Sequence, residues 1–214
     1  MNILIIGATG KMAQIVAKNL TKYPDLNVLL FARNPEKFET ELLASNPTVV
    51  KGDALDTSLL TKTLEENKID LVYSNLGGVD LSDQTVSIIK SMDASNVKRL
   101  IFISALGAHH EVPGNFGVWN EQAIAAYLPG FRDSFELLDK SDIDYTMVRP
   151  AWLTDYDEVN YETTARHEPF KGTEVSRKSV ADFVAKVIFN PETYSRDSIG
   201  LNKTNTDGDK PSWL

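Results

Sequence analysis

The sequence predicts an α/β fold built on a doubly wound parallel sheet with helices on both faces. Short apolar runs alternate with helical segments from residue 2 to about residue 149, and this alternation is typical of such sheets. The first run, Ile3-Leu4-Ile5-Ile6, is apolar throughout and ends at Gly7, as expected for a strand that is buried on both faces.

Later segments continue the alternation. The next strands are predicted at Val28-Leu29-Leu30-Phe31, Val49-Val50, Leu71-Val72-Tyr73, Leu100-Ile101-Phe102-Ile103 and Tyr145-Thr146-Met147-Val148. Apolar periodicity and capping residues predict helices at residues 12–20, 35–44, 82–92, 133–138 and 182–189. A loop-rich stretch at 154–172 and a last strand near 198–201 complete the chain. We expect one domain over 1–204, with 150–200 forming a small substrate-side part, and a polar tail at 205–214.

Composition narrows the possible functions. The chain has 214 residues, of which 42% are hydrophobic and 24% charged, which fits one globular domain. Its net charge of −8 argues against binding to nucleic acid or to anionic membranes. The chain has no cysteine, which excludes disulfides and thiolate chemistry. The opening has no basic leader, and no apolar run approaches the ~18 residues of a membrane span, so we expect a cytoplasmic protein.

A glycine-rich loop follows the first strand. In Gly7-Ala8-Thr9-Gly10-Lys11-Met12-Ala13, glycines allow a tight turn and a close approach of backbone to a pyrophosphate, and Ala13 allows the helix to pack on the sheet. Unpaired amides at the helix N-terminus favour an anion. The pattern therefore predicts a dinucleotide site of Rossmann type that Gly7 to Met12 contact, with a purely structural turn as the alternative.

The tip of the second strand indicates which dinucleotide binds. An acidic residue there would hold the ribose of NAD, whereas Arg33, with Asn34 beside it and Lys37 one turn on, offers donors to a 2′-phosphate. Glu36 works against this interpretation, and a solvated surface arginine is its alternative. NADP(H) is therefore favoured over NAD(H).

Two further loops carry candidate cofactor contacts. Asp53, followed by Ala54, can accept a hydrogen bond from the adenine amine, or it can cap the helix that begins near Thr57. After the fourth strand, Asn75-Leu76-Gly77-Gly78 would let backbone lie against a ribose, or it forms a flexible turn.

As a set, these motifs resemble the atypical short-chain dehydrogenase/reductase family, and within it the NmrA-like and biliverdin/flavin-reductase-like NAD(P)-binding proteins. The resemblance covers residues 1 to about 200 and implies that Pro150, Ala151, Trp152 and Leu153 run past the nicotinamide. Its other motifs are Ile-Ser-Ala-Leu-Gly at 103–107, Asp-Tyr-Thr-Met-Val-Arg-Pro at 144–150 and Val-Ser-Arg-Lys-Ser-Val-Ala at 175–181.

The resemblance also implies a catalytic serine and a Tyr-x-x-x-Lys pair. Ser104 takes the serine place and Tyr127 the tyrosine place, but Phe131 stands where the lysine is expected. A phenol with a pKa near ~10 needs a nearby cation for acid–base work at neutral pH. Arg132 follows directly, but on a helix its side chain is rotated by ~100° from the position expected of the lysine. Leu128-Pro129-Gly130 also interrupts the helical pattern. This departure argues against tyrosine-dependent chemistry and leaves a packing role for Tyr127 open.

Reduction of a flavin or quinone does not need the missing lysine, because the nicotinamide carries the chemistry. We expect an NADPH-dependent reductase of a small planar acceptor, with no nucleic-acid or membrane partner, as a monomer or homodimer. The alternatives are a non-catalytic NADP(H)-sensing regulator of NmrA type and a sugar-nucleotide epimerase or dehydratase.

Histidines and aromatic residues complete the set of candidates. His109 and His110 are expected as solvated loop residues, one of them an acid in the alternative, and His167 is a candidate substrate contact. No ligand pattern predicts a metal site. An aromatic wall for a planar acceptor, or simple packing, is expected of Trp119, Tyr127, Trp152, Tyr156 and Tyr161.

Overall fold

The computed structural model describes residues 1–44 and 46–214 and contains an eight-stranded sheet. The strands of the described residues are β1 (Asn2–Ile6), β2 (Asn27–Ala32), β3 (Thr48–Lys51), β4 (Leu71–Ser74), β5 (Arg99–Ile103), β6 (Asp144–Pro150), β7 (Trp152–Thr154), β8 (Glu162–Thr164), β9 (Glu174–Ser176) and β10 (Asp197–Asn202). The main sheet has the order β3-β2-β1-β4-β5-β6-β10-β8, with β8 alone antiparallel, and β7 pairs with β9. The predicted doubly wound sheet is confirmed, and strand order reverses between β1 and β4.

Helices cover both faces of the sheet. They are α1 (Lys11–Leu20), α2 (Thr40–Leu43), α3 (Thr57–Glu66), α4 (Leu81–Ala94), α5 (Gly114–Ala123), α6 (Leu128–Lys140) and α7 (Arg177–Phe189). Ile3 and Ile5 of β1 pack in a cluster with α1 and α7, whereas Leu4 and Ile6 pack in a second cluster with α3, α4 and α6. A strand with apolar neighbours on both faces explains the unbroken apolar run of β1. No helix among residues 1–44 and 46–214 is long and apolar enough to cross a membrane.

Several predicted helices have different bounds in the structure. The helix expected at 35–44 is a 3-10 turn at Pro35–Lys37 followed by the short α2, because Glu39 donates its amide to the side chain of Gln14 at 2.7 Å. The expected break at Leu128-Pro129-Gly130 is the first turn of α6, where a proline is well tolerated. Helix α5 was not predicted, and the stretch expected to be loop-rich contains β8.

Residues 205–214 lie against β9 and the residue before it. The carbonyl of Thr206 accepts the amide of Thr173 at 3.1 Å, and the amide of Ser212 donates to the Glu174 carboxylate at 2.8 Å. These bonds fasten the segment to β9 and, through the β7–β9 pair, to the end of β6.

A buried ion pair ties the segment after β5 to its neighbouring strands. Arg149 on β6 is fully buried; it pairs with the Glu111 carboxylate and donates to the Ser198 hydroxyl at 2.9 Å. Glu111 also accepts the amides of Gly107 at 3.1 Å and His109 at 2.9 Å. Burial opposes ionisation of Glu111, but Arg149 and the backbone donors outweigh it and lower the pKa of that carboxyl.

Breaking this pair should destabilise the fold strongly. We expect Arg149→Met to lower the free energy of unfolding by about 3–5 kcal/mol in urea denaturation, because Glu111 is left buried without its cation. Combining it with Glu111→Gln should recover part of the loss, since the glutamine carries no charge, although its single side-chain oxygen can replace only one of the two carboxylate oxygens that accept the amides of Gly107 and His109.

The same pair sets a response to acid. Because the pKa of Glu111 is lowered in the folded protein, its contribution is present above the unfolded pKa of ~4.3 and is lost as pH falls through the lower, folded value. The wild type should therefore lose stability more steeply in this acidic range than the double variant. Equal acid sensitivity of the two proteins would contradict this role.

Candidate dinucleotide-binding site

The glycine loop joins β1 to α1 in a tight turn. Gly7 has φ +72°, a value that favours glycine, and its carbonyl accepts the amide of Gly10 at 3.0 Å. Gly10 is the N-cap of α1, and no side chain caps this helix. The amides of the first turn are thus available to water or to an anionic ligand.

Asn75, directly after β4, lies close to both glycines of the loop. A Cβ atom on Gly7 would lie 2.6 Å from the Asn75 carbonyl oxygen, and one on Gly10 would lie 2.4 Å from the Asn75 side-chain nitrogen. The Tyr73 hydroxyl donates to the Asn75 side-chain oxygen at 3.2 Å, and burial raises the pKa of Tyr73, which keeps it a neutral donor. The sequence predicted Asn75 as a cofactor contact but did not point to its supporting Tyr73.

A cavity of about 580 Å³, here called the central cavity, lies at the carboxyl ends of β1, β4, β5 and β6. The predicted residues among its lining are Lys11, Met12, Asn75, Leu76, Gly77, Ser104, Pro150, Ala151, Trp152 and Leu153. The lining also includes residues that were not predicted as contacts: Ile103, Ala105, Leu106, Ile124, Phe131, Arg177 and Trp213.

A smaller cavity of about 150 Å³, the tip cavity, lies at the ends of β1, β2 and β3. Predicted contacts in its lining are Gly7, Thr9, Arg33, Asn34, Asp53, Ala54 and Leu76. Leu76 lines both cavities, so they adjoin where strand order reverses, the usual ligand position in such sheets. Ala8 and Gly10 line neither cavity; Ala8 is buried and donates its amide to the Phe31 carbonyl.

Arg33 and Asp53 face each other loosely in the tip cavity. The Arg33 side chain is 65% exposed, and its nearest nitrogen lies 3.9 Å from an Asp53 carboxylate oxygen, which leaves the guanidinium accessible. Asp53 accepts the amide of Leu55 at 3.0 Å, whereas α3 is capped by Asp56. The alternative that Asp53 caps this helix is therefore wrong.

Ser104 presents a buried hydroxyl to the central cavity. Its amide donates to the Val148 carbonyl at 2.8 Å, which continues the β5–β6 pairing by one residue. The residue is only 4% exposed, and its Oγ has no hydrogen-bond partner in the described chain. A buried hydroxyl without a partner is costly, so this atom indicates a site for a ligand.

The Tyr-x-x-x-Lys positions are not assembled at this cavity. Tyr127 is 46% exposed at the N-cap of α6 and is not among the lining residues. The Phe131 ring lines the cavity instead of a lysine. Arg132 donates to the Gly107 carbonyl at 2.9 Å and pairs with Glu121, so it does not replace the lysine.

The three histidines lie outside the central cavity. His109 Nε2 is 2.8 Å from the Ser198 hydroxyl and its ring packs edge-on against Phe135, so the expectation of a solvated residue is wrong for it. Burial and the charge of Arg149 lower the pKa of His109 to about 4, which keeps it neutral at pH 7. All three line a separate, lateral cavity of about 780 Å³ beside α6, together with Arg132, Phe135 and Arg166.

Of the five aromatic residues expected to form a wall, only Trp152 is among the residues that line the central cavity. Its indole nitrogen donates to Asn120 at 2.9 Å, and its ring lies 4.8 Å from Trp119, which supports it from behind. Tyr161 donates to Asp182 and packs on Phe183, and Tyr156 is exposed. The wall is instead completed by Phe131 and by Trp213, which the Ser212–Glu174 bonds place there.

These features fit a nicotinamide dinucleotide. The uncapped turn of α1 suits the pyrophosphate, the tip cavity suits the adenosine half, and the central cavity, with the free Ser104 hydroxyl, suits the nicotinamide and an acceptor. Fold and site together define a Rossmann-type dinucleotide-binding protein.

Comparison with known proteins gives the family. The model of the NAD(P)H-binding family matches residues 7–191, and the chain belongs to this family. A Rossmann-fold NAD(P)-binding family protein from Shigella flexneri is 39% identical, with a TM-score of 0.83 over 100% of this chain and 98% of that one. A short-chain dehydrogenase/reductase from Veillonella parvula, in complex with NADP, is 26% identical, with a TM-score of 0.90 over 99% and 98% of the chains.

The predicted resemblance to NmrA-like proteins is also confirmed. An NmrA-like family domain-containing oxidoreductase of Aspergillus japonicus is 29% identical over 165 residues, which are 71% of this chain and 46% of that protein. The chain spans between 34% and 66% of the length of the curated relatives it matches.

The glycine loop provides a direct test of the site. Gly7→Ala should weaken NADPH binding and lower the free energy of unfolding by about 2 kcal/mol, because the new side chain meets the Asn75 backbone at a left-handed φ. Gly208→Ala is the matched control, since its Cβ would meet no atom closer than 3.6 Å. Unchanged binding and stability in Gly7→Ala, measured by calorimetric titration and urea denaturation, would contradict this account.

Proposed function

We propose that the chain is an NADPH-dependent reductase of a small planar acceptor of flavin or quinone type. The observation that carries the proposal is the lining of the central cavity, where the unpaired Ser104 hydroxyl lies among apolar and aromatic side chains. Phe131 and Trp152 offer flat surfaces for a conjugated ring. An acceptor that takes its proton from water needs no Tyr-Lys pair, which the cavity lacks.

The preference for NADPH rests on the tip cavity. Arg33, Asn34 and Lys37 all line it, and Arg33 has only a loose partner in Asp53. A planar guanidinium suits a 2′-phosphate, and an acidic residue of the NAD-binding kind is absent from the end of β2 in the described chain. The Veillonella parvula relative, which holds NADP, supports the same preference.

The residues that line the central cavity have distinct roles in the proposed reaction. When bound, the reduced nicotinamide supplies a hydride to the acceptor, which gains its second hydrogen as a proton from water. The Ser104 hydroxyl donates a hydrogen bond to the acceptor oxygen or nitrogen on which negative charge develops. The apolar side chains Ile103, Leu106 and Ile124 exclude water, and the aromatic rings orient the acceptor.

Turnover measurements test this reaction. Purified protein should oxidise NADPH in the presence of FMN, riboflavin or menadione, and Ser104→Ala should lower kcat/KM by about tenfold to a hundredfold through the lost hydrogen bond. Tyr127→Phe should retain the wild-type rate because its hydroxyl lies outside the cavity. The rate should also stay flat from about pH 6 to 8, since His109 is already neutral there.

One result would contradict the reductase, and another would contradict its tyrosine-independent mechanism. One is NADPH binding without turnover of any acceptor in a broad panel, which would favour a sensing role. The other is a large loss of rate in Tyr127→Phe, which would restore tyrosine-dependent chemistry.

The cofactor preference has its own test. Fluorescence titrations should give tighter binding of NADPH than of NADH, and Arg33→Ala should weaken NADPH binding by about tenfold through loss of a charge-assisted hydrogen bond while leaving NADH unchanged. Lys22→Ala, on the surface beyond α1, is a control that removes one positive charge away from both cavities. Absence of a preference in the wild type, or no loss in Arg33→Ala, would refute it.

A further inference from the structure

Residues 206–214, here called the strap, reach the central cavity from outside the strands that form it. Trp213 of the strap lines the cavity, although none of the predicted motifs of the dinucleotide site contains this residue. Trp213 is 42% exposed, so much of the residue is still in contact with solvent. A large aromatic side chain in this intermediate position can bury further area when a ligand occupies the cavity.

The strap is attached to β9 and the residue before it at two points. At the first, the carbonyl of Thr206 accepts the amide of Thr173 at 3.1 Å and its hydroxyl at 2.7 Å. At the second, Ser212 donates its amide at 2.8 Å and its hydroxyl at 3.1 Å to the two carboxylate oxygens of Glu174. Between these points, residues 207–210 are exposed and form no hydrogen bond with the described part of the chain. The strap is therefore held locally and not along its length.

The bonds between Ser212 and Glu174, here called the latch, have a rigid base. Glu174 is only 4% exposed, its carbonyl accepts the amide of Lys203 at 2.7 Å, and it lies opposite Trp152 in the β7–β9 pair. Within residues 1–44 and 46–214, the Glu174 carboxylate accepts hydrogen bonds from Ser212 alone. A buried carboxylate without donors is costly, so the latch stays closed. Trp213 thus directly follows a fixed point.

Beyond the latch, the strap has few contacts. The amide of Leu214 donates to the carbonyl of Pro211 at 3.2 Å, but Trp213 makes no hydrogen bond or aromatic contact with any residue that the structure describes. Trp152, in contrast, is held by Asn120 and by the ring of Trp119. A side chain with so few contacts can turn over the cavity while Trp152 stays in place.

We propose that Trp213 is a cover that closes over the nicotinamide half of a bound dinucleotide, with the latch as its pivot. Without a ligand the ring is partly exposed, and on binding it gains apolar contact in place of water. Trp213 is then a binding residue, and Ser212 and Glu174 are positioning residues. The inference concerns dinucleotide binding and does not depend on which acceptor is reduced.

The rate of NADPH release tests the cover. We expect Trp213→Ala to raise the NADPH dissociation rate constant by about tenfold in a stopped-flow chase with excess NADP⁺, because the ring no longer packs on the cofactor. Trp213→Phe should stay within about twofold of the wild type, since phenylalanine retains a flat surface. The association rate constant should change by less than about threefold, because a lost contact acts mainly on dissociation.

The latch has a separate test. Ser212→Ala should raise the NADPH dissociation rate constant by about threefold, because Glu174 loses the hydroxyl donor and keeps only the amide. Ser195→Ala is the matched control. It also removes a serine hydroxyl that donates to a carboxylate, that of Asp144 at 2.6 Å, but Ser195 does not line the central cavity. Its release rate should equal that of the wild type.

Solvent access to Trp213 gives a readout that a purely structural role would not change. Saturation with NADP⁺ should lower the Stern–Volmer constant for acrylamide quenching of tryptophan fluorescence, because the closed cover is shielded from the quencher. Most of this decrease should be lost in Trp213→Phe, in which the remaining tryptophans, Trp119 and Trp152, already pack on each other.

Three outcomes would overturn the cover. They are unchanged NADPH release in Trp213→Ala, unchanged acrylamide quenching on saturation with NADP⁺, and equal release rates in Ser212→Ala and the wild type. A wild-type protein that binds no NADPH would refute the dinucleotide site and the cover together. Release rates that shift as expected without turnover of any acceptor would refute the reductase alone, whereas turnover with unchanged release rates would refute the cover alone.

Discussion

The ion pair between Arg149 and Glu111 is the interaction on which the geometry of the site depends. Both side chains are removed from water, where an unpaired charge would be expensive, so their pairing holds the chain between β5 and α5 in one position. At the start of that segment, the Ser104 amide donates to the Val148 carbonyl and the Leu106 amide donates to the Pro150 carbonyl. The cavity wall is thus attached to β6 at both ends, which fixes the buried Ser104 although it lies in a loop beyond β5.

A second constraint acts on the opposite wall. Asn75 approaches the glycine loop so closely that side chains at Gly7 and Gly10 would collide with it. The ends of β1 and β4 therefore form one packed unit, with Tyr73 supporting it from the core. Gly7, usually explained by the approach of a cofactor, is here also required by the protein itself, so its loss affects folding as well as binding.

The sequence predicted the local parts of this molecule well. A strand that is buried on both faces appears in the sequence as an unbroken apolar run. The glycine loop is likewise recognisable because all of its residues are consecutive. Much of the cavity lining that follows such a strand directly was predicted, but Ala105 and Leu106 after β5 were not. Arg177 and Trp213 were missed because they reach the cavity from other parts of the fold, through the β7–β9 pair and the Ser212–Glu174 bonds. His109 was misjudged for the same reason, since its partner Ser198 lies on a strand 89 residues away in sequence.

The placement of the tryptophans has a practical consequence. The chain contains three; Trp152 and Trp213 line the central cavity and Trp119 packs on Trp152. Intrinsic indole emission therefore originates almost entirely at this one place, and excitation energy can pass directly from these rings to a reduced nicotinamide or a flavin held beside them. Intrinsic tryptophan fluorescence therefore reports occupancy of the central cavity without a label, and it responds little to binding elsewhere on the surface.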